Sequence, residues 1–158
     1  ILGIDNLMLA YPALAIGITC FAVAGVANAF NIIDGYNGLS GGYAVIALAA
    51  ISCIAFQVND HLVLTLSLGF VGGLFGFLCW NWPHGKIFMG DGGAYLVGFS
   101  LAELAILLIY RNSGVSPWFT AIIMAYPITE TVFSMLRRKF ITKTNPGQPD
   151  NQHFQQLV

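Results

Sequence analysis

Long uncharged apolar runs constrain this chain more than any other feature. No charged residue interrupts the stretch from Leu7 to Ile33, and Ser40 to Val58 and Leu62 to Trp80 are equally free of charge. Ala94 to Tyr110 carries only Glu103, and Trp118 to Leu136 only Glu130. Apolar runs of about 18 or more residues read as transmembrane helices. Hydrocarbon offers the backbone no water, so each crossing must close its hydrogen bonds internally, and that selects helix. The expected fold class is all-α: a polytopic integral membrane helix bundle of about five spans, the first over roughly residues 8–28. A mean hydropathy of +0.76, with 57% hydrophobic and 8% charged residues, excludes an ordinary soluble domain. The net charge is -1 and no basic stripe is present, so no nucleic acid is expected as a partner. Cys20, Cys53 and Cys79 all lie inside apolar runs, without metal-ligand spacing, and are read as lipid- or core-facing packing residues. Residues 1–158 read as one membrane domain, with no repeat or linker, and residues 137–158 as a cytoplasmic basic segment and tail. The chain opens at Ile1, with no Met and no signal-peptide n-region, and is expected to be a piece of a longer protein.

Arg137, Arg138, Lys139 and Lys143 immediately follow the last span. Basic residues flank cytoplasmic span ends, which places this end inside. Counting back through alternate crossings sets Asp91, the Asn81–Lys86 segment and the Asn28, Asn31 and Asp34 cluster on the same inner face. The turns left for the opposite face, Asn59–His61 and Arg111–Gly114, read as short and bland. Trp80, Trp82 and Trp118 fall near span ends, where interfacial aromatics sit comfortably.

The inner face gathers the residues able to do chemistry. Asn31, Asp34 and Asn37 share a short segment with Gly35 and Gly38. Carboxylate and amide oxygens suit a hard cation such as Mg²⁺, and glycines let backbone approach a ligand. The alternative is an ordinary capped turn. Asp91, in Gly90-Asp91-Gly92-Gly93, opens the fourth span, where the helix dipole favours a carboxylate and free N–H groups suit phosphate; the alternative is a simple N-cap. Lys86 is either a phosphate contact or a basic interface anchor. Asn81 and His84 are either pocket residues or parts of an interfacial turn. Glu103 and Glu130 lie within spans, where an acid costs about 2.5–3.5 kcal/mol at mid-depth. Both are read as structural, Glu130 as a helix–helix hydrogen-bonding residue. In the polar tail, His153 is a candidate phosphate contact, with a solvated histidine as the alternative.

Taken together, these segments resemble a known family. Asn-Ala-Phe-Asn-Ile-Ile-Asp-Gly-Tyr-Asn-Gly-Leu at 28–39 resembles the Asn-x-x-Asp-Gly segment of the polyprenyl-phosphate N-acetylhexosamine-1-phosphate transferases. Lys-Ile-Phe-Met-Gly-Asp-Gly-Gly at 86–93 resembles that family's second acidic motif. Glu130-Thr131, Arg137-Arg138 and the Pro-Asp-x-x-His tail resemble its C-terminal part, so the likeness runs over nearly the whole chain in order. The family includes the transferase that makes the first peptidoglycan lipid intermediate and those that begin O-antigen (lipopolysaccharide), common-antigen or teichoic-acid assembly. The resemblance implies that this chain is the C-terminal part of a multi-span transferase in the bacterial cytoplasmic membrane, with its site facing the cytoplasm. It implies transfer of N-acetylhexosamine 1-phosphate from a UDP-N-acetylhexosamine to a polyprenyl phosphate, with release of UMP and dependence on Mg²⁺, Mn²⁺ being an alternative. It implies Asp91 as the direct metal ligand, Asp34 as support for the metal and diphosphate, and Asn31 as the residue orienting Asp34. It further assigns Asn37 and Asn81 to the uridine pocket and His153 to the diphosphate; Lys86, from its place five residues before Asp91, is counted with the substrate-binding residues. A homodimer is among the assemblies it allows.

Three departures from the family pattern stand out. The family's paired-aspartate motif on an earlier helix is absent, so this chain alone is expected to be inactive. Asn37 stands where many members have Asp, and His153-Phe154-Gln155-Gln156 lacks the usual further histidines. The missing triple histidine argues against the muramoyl-pentapeptide substrate and towards a simpler UDP-N-acetylhexosamine used for surface polysaccharide. The rival readings are a transporter or channel piece, with Glu103 and Glu130 on a permeation path, and a catalytically inactive membrane scaffold.

Overall fold

The computed structural model describes residues 11–137. These form six helices: α1 (Pro12–Ile33), α2 (Leu39–Gln57), α3 (His61–Asn81), α4 (Gly90–Arg111), α5 (Pro117–Ile123) and α6 (Ala125–Arg137). The described residues contain no strand. The first four helices are each long and apolar enough to cross a membrane. Where a fifth span is expected the chain forms a bent pair, α5 and α6, turning by 58° at the break, which makes a fifth crossing if the two helices form one span.

The break has a local cause. Pro127 lacks an N–H and cannot bond the carbonyl of Ile123 four residues earlier, so a straight helix would leave that carbonyl unsatisfied within hydrocarbon. The hydroxyl of Tyr43, on α2, donates to the Ile123 carbonyl at 2.9 Å instead. The kink is therefore held by a residue far away in sequence, and the stretch 118–136 is a bent pair rather than one continuous helix.

α1 packs against α4 and α6, and α2 against α3 and α4. The α1–α4 crossing is close because Gly98 has no side chain: a Cβ there would fall 2.8 Å from the Cα of Ala27 and 2.9 Å from the Cβ of Phe30. Between α2 and α3 the buried hydroxyls of Ser52 and Ser67 lie 2.8 Å apart, a polar contact between two helices with no water to compete for it. The outer surface is apolar, with Phe21, Phe56 and Phe75 exposed, and Cys20, Cys53 and Cys79 also on it. α6 is inverted relative to a soluble helix. Its buried stripe is Glu130, Thr131, Ser134 and Arg137 beside Pro127, while Ile128, Val132, Phe133 and Leu136 face outward. That polarity suits a helix with lipid outside and polar partners within.

The end of the bundle formed by the α2–α3 and α4–α5 turns is more elaborate than the sequence suggests. Asp60 is buried, caps α3 by accepting from the Val63 amide at 3.3 Å, and accepts from Arg111 Nε at 2.8 Å and Asn112 Nδ2 at 2.9 Å. Burial pushes the Asp60 carboxyl up. The bonds from Arg111, Asn112 and Val63 and the Arg111 charge outweigh it, holding the group below its ordinary value of 3.8. A depressed carboxylate stabilises the fold above its ordinary pKa, and that contribution fades as pH falls through the depressed value. Asp60→Ala is therefore expected to lose about 2–3 kcal/mol near neutrality, through the lost cap and charge-assisted bonds. In detergent thermal unfolding the gap to the unaltered protein should persist above pH 5 and narrow below about pH 4. A gap constant down to pH 3 would count against the charged role of Asp60.

Candidate functional site

At the opposite end of the bundle, α1 and α3 finish while α2 and α4 begin, so two loops meet there. The first leaves α1 at Asp34 and re-enters helix after Gly38, whose φ of +81° is a left-handed conformation that suits glycine. A Cβ at Gly38 would also fall 2.6 Å from Trp82 Cδ1, so glycine is required there twice over. The second loop leaves α3 at Asn81 and enters α4 at Gly90, with φ +66°.

Direct contacts join the loops. Asn81 Oδ1 accepts from the Gly38 amide at 2.6 Å, and Asn81 Nδ2 donates to the Ile87 carbonyl at 2.8 Å. Asn37 Nδ2 donates to the Pro83 carbonyl at 3.3 Å. The Ser40 hydroxyl, in the first turn of α2, donates to Asp34 Oδ1, and Asn31 Nδ2 donates to the Tyr95 hydroxyl of α4 at 3.3 Å. Together the loops enclose a cavity of about 130 Å³ lined by Asp34, Tyr36, Asn37, Asn81, Phe88 and Met89. Phe88, one of the lining residues, is 77% exposed and stands outside the core. A broader cleft of about 440 Å³ lies alongside, lined by Tyr36, Asn37, Leu39, Trp82 and Tyr126.

The electrostatics centre on Asp34 and Asp91. Burial raises the Asp34 carboxyl above its ordinary 3.8; the Ser40 hydrogen bond lowers it, and the nearby charge of Asp91 raises it again. Asp91 is exposed in the first turn of α4, with the helix dipole favouring its charge. Its side chain makes no N-capping hydrogen bond; the N-cap position is Met89, also without one. Among the described residues no third His, Cys, Asp or Glu joins them. Two like charges, one half-buried, are a pairing that a bound cation would relieve. Two carboxylates also suit Mg²⁺, which keeps several waters and takes further oxygens from phosphate.

Of the residues singled out in the sequence, Asp34, Asn37 and Asn81 line one cavity, Asn31 sits a turn before it, and Asp91 lies within electrostatic reach. Lys86 is exposed and is not among the residues that line the cavity; its Nζ lies 5.5 Å from the centre of the Trp80 ring. His153 and the basic residues Arg138, Lys139 and Lys143 lie outside the described residues. Ser40, Tyr95 and Phe88 were not singled out; Phe88 lies inside the 86–93 motif, whereas Ser40 and Tyr95 carry no local signal. Glu103 projects from the outer face of α4, whereas Glu130 is buried, with Oε1 lacking a hydrogen-bond partner among the described residues. Glu130 does not line the loop cavity, so Glu130→Gln is expected to cost less turnover than Asp34→Asn in the full-length protein. The reverse order in a steady-state comparison would give Glu130 a chemical role.

The family model for glycosyl transferase family 4 matches residues 2–109, which include both loops, α1 to α3 and all but the last two residues of α4. The chain belongs to glycosyl transferase family 4. Among the relatives of this family 4 chain is the probable undecaprenyl-phosphate N-acetylglucosaminyl 1-phosphate transferase of Bacillus subtilis (strain 168). It is 36% identical over 147 residues, 92% of this chain and 39% of that protein. The undecaprenyl-phosphate alpha-N-acetylglucosaminyl 1-phosphate transferase of Thermotoga maritima is 32% identical over 129 residues, 82% of this chain and 38% of its own length. A phospho-N-acetylmuramoyl-pentapeptide-transferase from Oceanobacillus iheyensis is 44% identical over 89 residues, 56% of this chain and 27% of its own length. The family 4 chain thus spans well under half the length of these curated relatives.

Proposed function

We propose that the full-length protein transfers N-acetylhexosamine 1-phosphate from a UDP-sugar to a polyprenyl phosphate at the cytoplasmic face of the membrane. The observation that carries this reading is the meeting of the Asp34 loop and the Asp91 helix start around one cavity at the end of a membrane bundle. A water-borne nucleotide and a bilayer-borne lipid can both reach such a place. Family membership supports the transferase chemistry; the relatives named for N-acetylglucosaminyl 1-phosphate transfer and the missing triple histidine favour a simple UDP-N-acetylhexosamine over the donor of the muramoyl-pentapeptide relatives, and the product would begin a surface polysaccharide. The basic residues after α6 support the cytoplasmic orientation.

In the reaction a phosphate oxygen of the lipid attacks the sugar-bearing β-phosphorus. The bond from that phosphorus to the oxygen bridging to the α-phosphate breaks, and UMP leaves with the electron pair. Phosphoryl transfer of this kind asks for positioning and charge neutralisation more than for a protein nucleophile. Asp34 and Asp91 would hold Mg²⁺, or Mn²⁺ in its place, and the bound ion would supply neutralising charge to the diphosphate. Asn31 restrains the end of α1 through Tyr95 and so helps fix the direction of Asp34. Asn37 offers its amide to the uracil edge, and Phe88 offers a ring face for stacking. Lys86 reaches a phosphate by leaving the Trp80 ring, and His153 contacts the diphosphate.

The route of the phosphorus tests the reading. With full-length protein, polyprenyl phosphate and UDP-N-acetylglucosamine labelled in the β-phosphate, the label should enter the organic phase and the released UMP should be unlabelled. Sugar in the lipid without the label would mean simple glycosyl transfer and would sink the proposal.

A further inference from the structure

We propose that Asn81 is a positioning residue: one buried amide that sets the separation of the two loops on which the reaction depends. The inference rests on the transferase reading, and it departs from the expectation that Asn81 lines the uridine pocket as a ligand contact. The residue is 5% exposed at the end of α3. An asparagine amide brings one acceptor oxygen and two N–H donors. Here the oxygen is taken by the Gly38 amide at 2.6 Å and one donor by the Ile87 carbonyl at 2.8 Å. The same residue's backbone carbonyl accepts from the Gly85 amide at 2.7 Å, and the neighbouring Trp80 carbonyl accepts from Lys86 N at 3.0 Å. Both strong side-chain bonds therefore go to backbone, one on each loop, leaving little to offer a base.

The positions of those partners give the tether its consequence. Gly38 is the point where the chain reverses between Asp34 and α2, so holding its amide fixes the Asp34 and Asn37 side of the cavity. Ile87 precedes Phe88 and stands four residues before Asp91, so holding its carbonyl fixes the opposite wall and the approach to α4. A single side chain thus spans the gap across which Asp34 and Asp91 must share one ion. A buried, bidentate amide suits this task because a displacement of about 1 Å at a reacting centre can cost on the order of a hundredfold in rate.

Substitution at position 81 in the full-length protein separates positioning from ligand contact. Asn81→Ala removes both bonds. It should lower kcat by at least about tenfold, with the effect not confined to the UDP-sugar KM. Hydrogen exchange without substrate should show the Gly38 amide losing protection by about tenfold, while mid-helix amides of α2 and α4 keep theirs. Asn81→Asp keeps the acceptor and loses the donor. Gly38 should then stay protected while kcat still falls, to a value between those of the unaltered protein and Asn81→Ala, and this variant carries the test if the alanine variant does not insert. A rise in UDP-sugar KM alone, with kcat and Gly38 protection unchanged, would make Asn81 a ligand contact and overturn the proposal. If the unaltered protein turned over no UDP-sugar, the transferase reading would fail. The exchange comparison would then decide the tether by itself, unchanged Gly38 protection in Asn81→Ala refuting it.

Discussion

Asp91→Asn in the full-length protein should reduce turnover by about a thousandfold or more, while the protein still inserts and unfolds at nearly the same temperature. The expectation of so large a catalytic loss comes from the scarcity of charge around it. Among the described residues Asp34 and Asp91 are the two acids at this end of the bundle, and acids supplied by helices outside this segment would add to the ion site without replacing the carboxylate at the start of α4. The expectation of a small folding effect comes from the surroundings of Asp91. It is exposed and makes no N-capping bond. Its favourable interaction with the α4 dipole, about 0.3–1 kcal/mol, is opposed by repulsion from Asp34. Steady-state UMP release and detergent thermal unfolding of the same preparation check both halves. Normal turnover in Asp91→Asn would remove Asp91 from the ion site.

Asp34→Asn should lose turnover on a similar scale and should unfold at the same or a higher temperature. Burial and the Asp91 charge raise the Asp34 carboxyl, outweighing the Ser40 hydrogen bond. With a raised folded-state value the native protein holds its proton more tightly than the unfolded chain does. Stability is then favoured at low pH and lost as pH rises from the ordinary 3.8 through the raised value. At neutral pH the ionised Asp34 is a cost to the metal-free fold, and the neutral amide removes it while still accepting from Ser40. The stability advantage of Asp34→Asn should disappear below about pH 4. Added Mg²⁺ should raise the unfolding temperature of the unaltered protein more than that of the variant, because binding to the native state stabilises it by mass action. A variant clearly less stable than the unaltered protein at pH 7 would mean that the Asp34–Ser40 pairing serves the fold rather than the ion.

The spans were legible because hydrocarbon imposes a rule that composition alone can show. The run from Leu62 to Trp80 becomes α3, His61–Asn81, almost residue for residue. The two acidic loops were legible for a related reason, since charge and glycine are conspicuous against an apolar background. What stayed hidden was pairing at a distance. Pro127 is visible in the sequence, yet the kink it produces is held by Tyr43, whose hydroxyl reaches a carbonyl eighty residues on. Asp60 and Arg111 sit in turns that read as bland because each is half of a cluster, 51 residues apart. Asn81 was singled out by its place near the motif, but only the fold shows that its amide is spent on Gly38 and Ile87. Local pattern thus reports where polar residues must sit, whereas the division of labour among them depends on which helix ends meet.

The most direct test of the account is UMP release by the full-length protein in detergent, supplied with UDP-N-acetylglucosamine and polyprenyl phosphate, with and without Mg²⁺. Release should require both the lipid and the ion and should vanish in Asp91→Asn. Release that proceeds without the lipid or the ion, or none from well-folded protein across a panel of UDP-sugars, would contradict the transferase reading.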